Sequence, residues 1–319
     1  LFRSSAASDV YKRQKYTSDG VRLWTRLGGS FGEEIAYATT TSSDGFVYVA
    51  GSTTSDGDEQ LNQGGKDIFV AKYSSAGELV WVKLFGTDQD DVALDIVSGQ
   101  NSDLYLAGVT NGDLNGERNL GSSDGFVARI DSDGHLDWVR MIGSRGDDRA
   151  TTLVPDGTGN IFVAGNIGPE FVDSDQDSDE SGSDLFISSF TIDGDQSWIR
   201  TFGSTQDDSA SSLTLADNGD LYLAATTQGE LSGESNNGYT DITLHSFSSD
   251  GTSLWNFQTG SPQADFVADL VPTSNGRLIL TGSTNGDFNN QSNNGVRDLL
   301  VHSVSVVDAH RIISLTDDT

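Results

Sequence analysis

The chain has no cysteine. That excludes disulfide staples and thiolate metal sites, but it assigns no compartment, because extracellular bacterial proteins also dispense with cysteine. Positive charge is scarce: 18 lysines and arginines stand against 48 aspartates and glutamates, a formal net charge of −30. A field of that sign repels phosphate backbones and anionic lipid, so neither nucleic acid nor an acidic membrane is expected as a partner. No run approaches the ~20 apolar residues that span a bilayer, and no segment sustains a helical period. There are only 4 prolines and a single methionine, Met141. The chain opens at Leu1 without the basic, apolar and small-residue regions of a signal peptide.

Turn and strand chemistry is what abounds. Glycine numbers 37 and apolar residues make up only 35%, the composition of many short strands joined by tight turns. All five tryptophans belong to one repeated element, with a glycine four residues before and another five after: Gly20/Trp24/Gly29, Gly77/Trp81/Gly86, Gly134/Trp138/Gly143, Gly194/Trp198/Gly203 and Gly251/Trp255/Gly260. The tryptophans are 57, 57, 60 and 57 residues apart. A length of 319 residues ordinarily suggests about two domains, but repeating units share one continuous core.

Residues 15–319 divide into units 33–86, 91–143, 148–203, 208–260 and 265–319, preceded by a leading fourth strand at 20–29. One unit holds four strand-like runs: VALDIV (92–97), LYLAGVT (104–110), GFVARID (125–131) and HLDWVRMIG (135–143). Four short strands per unit, repeated about five times, predict an all-β fold, a β-propeller of four-stranded antiparallel blades. Whether about five blades is the whole ring or part of a larger one stays open. In one arrangement residues 21–27 complete the last blade; in the other, AHRIISL (309–315) does, with Ile312 where a tryptophan belongs. Residues 1–14 match nothing in the repeat. Their SSAASDVYKRQ resembles a translated adaptor scar, so the segment is set aside as non-native, and the true N-terminus, with any export signal, is expected to be missing.

Several positions recur with the period. A small residue marks the first strand at Ala36, Ala93, Ala150 and Ala210, with Val267 in the fifth copy, as crowding around a propeller axis requires. A cation follows the tryptophan by two residues at Arg26, Lys83, Arg140 and Arg200, where it guards an outer edge against aggregation. Asp67, Asp124, Asp184, Asp241 and Asp298 each open a third strand. Acidic pairs follow the fourth strands at Glu33/Glu34, Asp90/Asp91, Asp147/Asp148 and Asp207/Asp208, with only Asp265 in the last copy.

The run GGKDIFVAKYSSAGELVWVKLFGTDQDDVALDI, followed by a strand ending in Ala-Gly and a loop such as TNGDLNGERNLGSSD, resembles the bacterial seven-bladed-propeller-type (SBBP) repeats. The resemblance covers residues 15–308 and implies a propeller in secreted or surface-associated proteins. The family name implies seven blades, whereas this chain holds five units, as a fragment would. A partial similarity of ARIDSDGHLDW (128–138) to the tryptophan-docking motif of quinoprotein dehydrogenases reads as shared blade geometry, since no basic cofactor pocket accompanies it.

Candidate chemistry is sparse. Trp24, Trp81, Trp138, Trp198 and Trp255 are expected to pack between adjacent blades rather than stack on sugars. The third unit carries an insertion, DSDQDSDESGSD, which places Asp173, Asp175, Asp177 and Asp179 at alternate positions with Asp184 in the twelfth. That spacing suits calcium, although Ser178 replaces the glycine such loops use. The repeated acidic pairs read as turn-capping groups, since a symmetric array offers no asymmetry to separate two carboxylate pKa values as hydrolysis demands. His245 and His302 occupy one strand position in successive units, too far apart for one metal. Gly121–Gly125 fits G-x-S-x-G but lies between two strands, not at a strand–helix turn.

No catalytic residue is assigned. The sequence therefore points to a non-catalytic, secreted or cell-surface propeller, acting as an interaction scaffold for protein or carbohydrate, with Ca2+ as its candidate stabilising ion. Its binding loops are expected at 111–123, 167–183, 228–240 and 285–297. The alternative is a carbohydrate-active or quinoprotein-like enzyme with a site over the channel.

Overall fold

A computed structural model of the chain describes residues 11–29, 32–57, 60–169, 182–231, 233–274, 276–289, 291–306 and 312–315. The chain divides into two compact units, 1–142 and 143–319. The first holds a hairpin of β1 (Tyr11–Tyr16) and β2 (Arg22–Gly28) and two four-stranded sheets. One sheet comprises β3 (Glu34–Thr41), β4 (Val47–Thr53), β5 (Asp67–Tyr73) and β6 (Leu79–Phe85). The other comprises β7 (Asp91–Ser98), β8 (Leu104–Thr110), β9 (Asp124–Ile130) and β10 (Leu136–Ile142).

The second unit has three such sheets. They are β11 (Arg149–Pro155), β12 (Asn160–Ile167), β13 (Asp184–Thr191) and β14 (Gln196–Phe202); β15 (Asp208–Leu215), β16 (Leu221–Thr227), β17 (Asp241–Phe247) and β18 (Ser253–Thr259); and β19 (Asp265–Pro272), β20 (Arg277–Thr284), β21 (Asp298–Val306) and β22 (Ile312–Leu315). Each strand pairs antiparallel with its neighbour in sequence. These are β-propeller blades, and among the described residues the regular structure is all β apart from two single 3-10 turns.

Turn glycines set the hairpins. Between third and fourth strands the amide of the glycine closes on a carbonyl three residues back, as in Gly77 to Ser74 (2.8 Å) and Gly251 to Ser248 (2.9 Å). Those glycines have φ of +83° and +82°, a left-handed conformation that costs a residue with a Cβ about 1–2 kcal/mol. Second strands are buried on both faces: every residue of β16 is buried. The apolar content is concentrated between sheets rather than inside one. In the first unit Ile68 and Val70 of one blade meet Ala93, Ile96 and Leu106 of the next. In the second, Leu185 and Ile187 meet Ala210 and Leu213, while Ile242 and Leu244 meet Val267 and Leu270. The small first-strand residues lie in these contacts; Ala93 and Ala150 are fully buried.

Two elements differ from expectation. Residues 11–14, set aside as foreign, form β1 together with Lys15 and Tyr16. Lys15 faces Trp24 with a bulge after it, as Lys72 faces Trp81 with a bulge after it, so β1 is a third strand. Its polar Arg13 and Gln14 stand where β5 has Val70 and Ala71, which hid the match. Residues 1–10 lie outside the described residues. In the fifth blade, Ile312 does not take the tryptophan's place. The tryptophans sit opposite the fifth residue after the third-strand aspartate, as Trp255 opposite Ser246, whereas Ile312 pairs with Val306. The strand β22 has slid along β21, and Leu299 (81% exposed) and Val301 (63%) are open where their counterparts Ile242 and Leu244 are buried.

Candidate functional site

The loops between second and third strands share one hydrogen-bonded frame. In the first unit Asn62 and Asn119 donate from Nδ2 to the carbonyls of Thr53 and Thr110, 3.0 Å in each case. Their own amides are held by Asp56 Oδ1 and Asp113 Oδ1, both at 2.9 Å, and their Oδ1 atoms accept from Gly64 and Gly121. In the second unit Asn293 repeats this with Thr284, Asp287 and Gly295. Asn236 keeps the bond to Gly238 and sends its Nδ2 to Gly229 instead. The third-strand aspartate closes each frame: Asp67, Asp124, Asp241 and Asp298 accept the amides of Gln63, Leu120, Asn237 and Asn294.

Three of these loops, those of Asn62, Asn119 and Asn293, thus share one hydrogen-bonded backbone and differ in what they expose. Leu61 (75% exposed), Leu120 (55%), Tyr239 (74%) and Val296 (88%) project from them. The frame asparagines were not singled out in the sequence, although the third-strand aspartates were. A signal was available: an asparagine five residues before each of four third-strand aspartates. The third-unit loop, with Asp173, Asp175, Asp177 and Asp179 of the expected calcium site, lies outside the described residues. Its last member, Asp184, opens β13.

The aspartates also come together in pairs. Asp67 faces Asp91, and in the second unit Asp184 faces Asp208 and Asp241 faces Asp265. Each pair joins the start of a third strand to the start of the next blade's first strand. A Cβ built on Gly260 would collide with Asp241 Oδ1 and lie 3.1 Å from Asp265 Oδ2; at Gly203 it would collide with Asp184 Oδ1 and lie 2.8 Å from Asp208 Oδ2. Only glycine fits between the carboxylates. The first-strand members cap the preceding turn: Asp91 accepts from the amide of Thr87 (2.6 Å), Asp208 from Ser204 (2.5 Å) and Asp265 from Ser261 (2.6 Å). Their exposed neighbours reach the previous blade's loop, as Asp90 does to the Lys66 amide at 2.9 Å.

Burial raises the pKa of Asp67, Asp91, Asp208 and Asp241, and the opposite carboxylate adds to it at Asp67 and Asp241. Hydrogen bonds from Thr110 and Thr87 oppose the rise at Asp91. Asp184 is pushed up to about 6, by burial first and then by Asp208. His245 is held neutral, its pKa lowered to about 3 by burial, with its ring 4.8 Å from that of Phe202. Gly121–Gly125 leads into β9 with no helix behind it.

Within each unit a tryptophan lies beside the next blade's turn. The Trp24 ring is 3.0 Å from the Cβ position of Gly77, and the Trp198 ring 2.8 Å from that of Gly251. Trp138 is 8% exposed. The cations that follow also touch their own tryptophans: Arg140 stands 5.7 Å over Trp138 and Arg200 5.6 Å over Trp198. A polar cleft of about 740 Å³ in the first unit is lined by Gln63, Thr87, Asp88, Asn111 and Asp113 among others. Among the described residues no group of three or more histidines and carboxylates could hold a metal ion, and no helix is long and apolar enough to cross a membrane.

No family model matches the chain. It is 26% identical over 303 residues to the regulatory protein FlaEY of Caulobacter vibrioides, an alignment covering 85% of this chain and 31% of that protein. The chain thus spans under a third of that relative's length. Among solved structures it is similar to a protein of unknown function from Bacteroides caccae (10% identical, 94% of this chain and 87% of that one, TM-score 0.46). It is also similar to the WD40 domain of Neurospora crassa Pan2 (14%, 85% and 62%, TM-score 0.45) and to Trypanosoma rangeli sialidase (9%, 93% and 49%, TM-score 0.45).

Proposed function

We propose that the chain is a non-catalytic interaction scaffold, an SBBP-type propeller segment of a secreted or cell-surface protein, that binds a protein partner through its second-to-third-strand loops. One observation carries the reading. Loops locked by asparagine and aspartate frames hold out single large apolar side chains, Leu61, Leu120, Tyr239 and Val296, which a solvated surface has no use for. Rigid loops bind at low entropic cost, and exposed apolar anchors supply the affinity. That a relative is a regulatory protein fits a role in contacts rather than turnover. The polar cleft beside Asp88 and Asp113 supports carbohydrate as the second candidate ligand. A calcium ion held by Asp173, Asp175, Asp177, Asp179 and Asp184 would serve as an accessory brace.

Affinity capture from the envelope fraction of the source organism tests this, comparing the wild-type chain with Leu61→Ser/Leu120→Ser and with Val80→Ser on an exposed outer strand. A partner lost only in the double variant supports the proposal. Identical capture by all three, or turnover of a glycoside by the wild type, would overturn it. A glycan array run with and without calcium covers the carbohydrate alternative.

A further inference from the structure

Asp67 and Asp241 lend Oδ2 to the loop frames, but the carboxylate pairs they belong to present a separate charge problem. Asp67, Asp241 and Asp265 are fully buried, and each keeps Oδ1 without a hydrogen-bond donor. Their Oδ2 atoms are already engaged with backbone amides of Gln63, Asn237 and Ser261. None of the paired aspartates makes an ion pair with lysine or arginine among the described residues. Two like charges buried face to face without a counter-charge are strongly unfavourable. Calcium needs six to eight oxygens, more than the pair presents.

We propose that each interblade pair, Asp67/Asp91, Asp184/Asp208 and Asp241/Asp265, holds one shared proton in mild acid, and that losing it as the pH rises loosens the junction between those blades. The proton sits on one Oδ1 and is donated to the facing carboxylate, so one hydrogen satisfies both groups and the pair carries a single negative charge. This is how carboxylates held together divide their protons. Raising the pH sends that proton to solvent and leaves two facing anions. No surrounding charge relieves this: Asp90 and Asp207 add negative charge next to Asp91 and Asp208, Lys66 is turned to Glu33, and the donors to Asp241, the Asn237 backbone amide and the Gln258 side-chain amide, are neutral.

The sign follows from linkage. A folded carboxyl that titrates above its unfolded value of about 3.9 stabilises the fold fully below that value, and the gain is lost as pH rises through the folded pKa. For Asp184 that upper limit is about 6. The junctions should therefore be tightest in mild acid.

The test is thermal unfolding of the full chain at about pH 5 and about pH 8, for wild type, Asp241→Asn, Asp67→Asn and the exposed control Asp133→Asn. An asparagine amide can donate where the shared proton did. Asp241→Asn and Asp67→Asn should each raise Tm at the higher pH by roughly 2–4 °C, leave it unchanged at the lower, and flatten the pH dependence; Asp133→Asn should not. Infrared spectra at about pH 5 should show a protonated-carboxyl stretch that shrinks in both pair variants, a readout that stands even if one variant folds poorly. Equal destabilisation at both pH values, or an unchanged carboxyl band, would overturn the proposal. So would millimolar calcium or magnesium raising the wild-type Tm at high pH but not that of Asp241→Asn, since a cation would then hold the pair.

Discussion

The two compact units join their blades with the same tryptophan in different ways. In the first unit a lysine makes the cross-blade hydrogen bond: Lys15 reaches the carbonyl of Ser75 at 3.1 Å, and Lys72 that of Ser132 at 2.9 Å. Lys72 also lies 4.3 Å over the Phe46 ring, and the indole nitrogen of Trp81 is buried with no acceptor. In the second unit a serine, Ser189, stands opposite the tryptophan, and Trp198 itself donates to the carbonyl of Ser249, at 3.2 Å. The turn carbonyl is one acceptor that either donor can fill. What the repeat preserves is the satisfied carbonyl and the ring laid against the turn glycine, and the donor is free to change.

Substitutions can break or sharpen this contrast. The largest effect should come from the ring itself: Trp138→Ala should cost roughly 3–5 kcal/mol in denaturant unfolding, as truncations of buried tryptophan do, and an unchanged midpoint would refute the packing role. Next is Lys72→Met, which keeps the aliphatic stem and removes the charged donor. It should cost about 1.5–3 kcal/mol, and the first unit alone should show it. Smallest and most discriminating is the pair of Trp→Phe changes. Trp198→Phe loses a hydrogen bond and should cost about 0.5–1.5 kcal/mol beyond the change in ring size. Trp81→Phe removes an unpaired buried N–H and should be neutral or stabilising once the same size term is subtracted. Equal costs for the two would show that the lysine is not the alternative latch.

Much of the fold was legible because a blade is a local object. Strands, turn glycines and the tryptophan recur at fixed spacing, and each hairpin pairs strands that are consecutive in the chain, so periodicity reported them directly. The strand β1 was not legible, since Arg13 and Gln14 replace the apolar pattern while keeping the pairing. The register of β22 was also hidden, because in a short antiparallel pair several alignments satisfy the same backbone groups. The loops misled in the opposite direction. Their side chains differ from copy to copy, which reads as variability, yet Asn62, Asn119 and Asn293 impose one backbone on three of them.

The sequence by itself determined that this protein is a series of four-stranded antiparallel blades with a tryptophan on every outer strand but the last, because turn chemistry and strand alternation act over neighbouring residues. Only the tertiary structure decided which chemistry the repeats bring together. Asp241 and Asp265 are 24 residues apart and look like two separate turn residues, as do Asp67 and Asp91 at the same spacing. Blade stacking sets them face to face across a glycine, and removing them from water converts capping groups into a coupled pair. Neighbouring residues fix a turn, but burial and the distance between charges depend on which strand starts the fold places side by side.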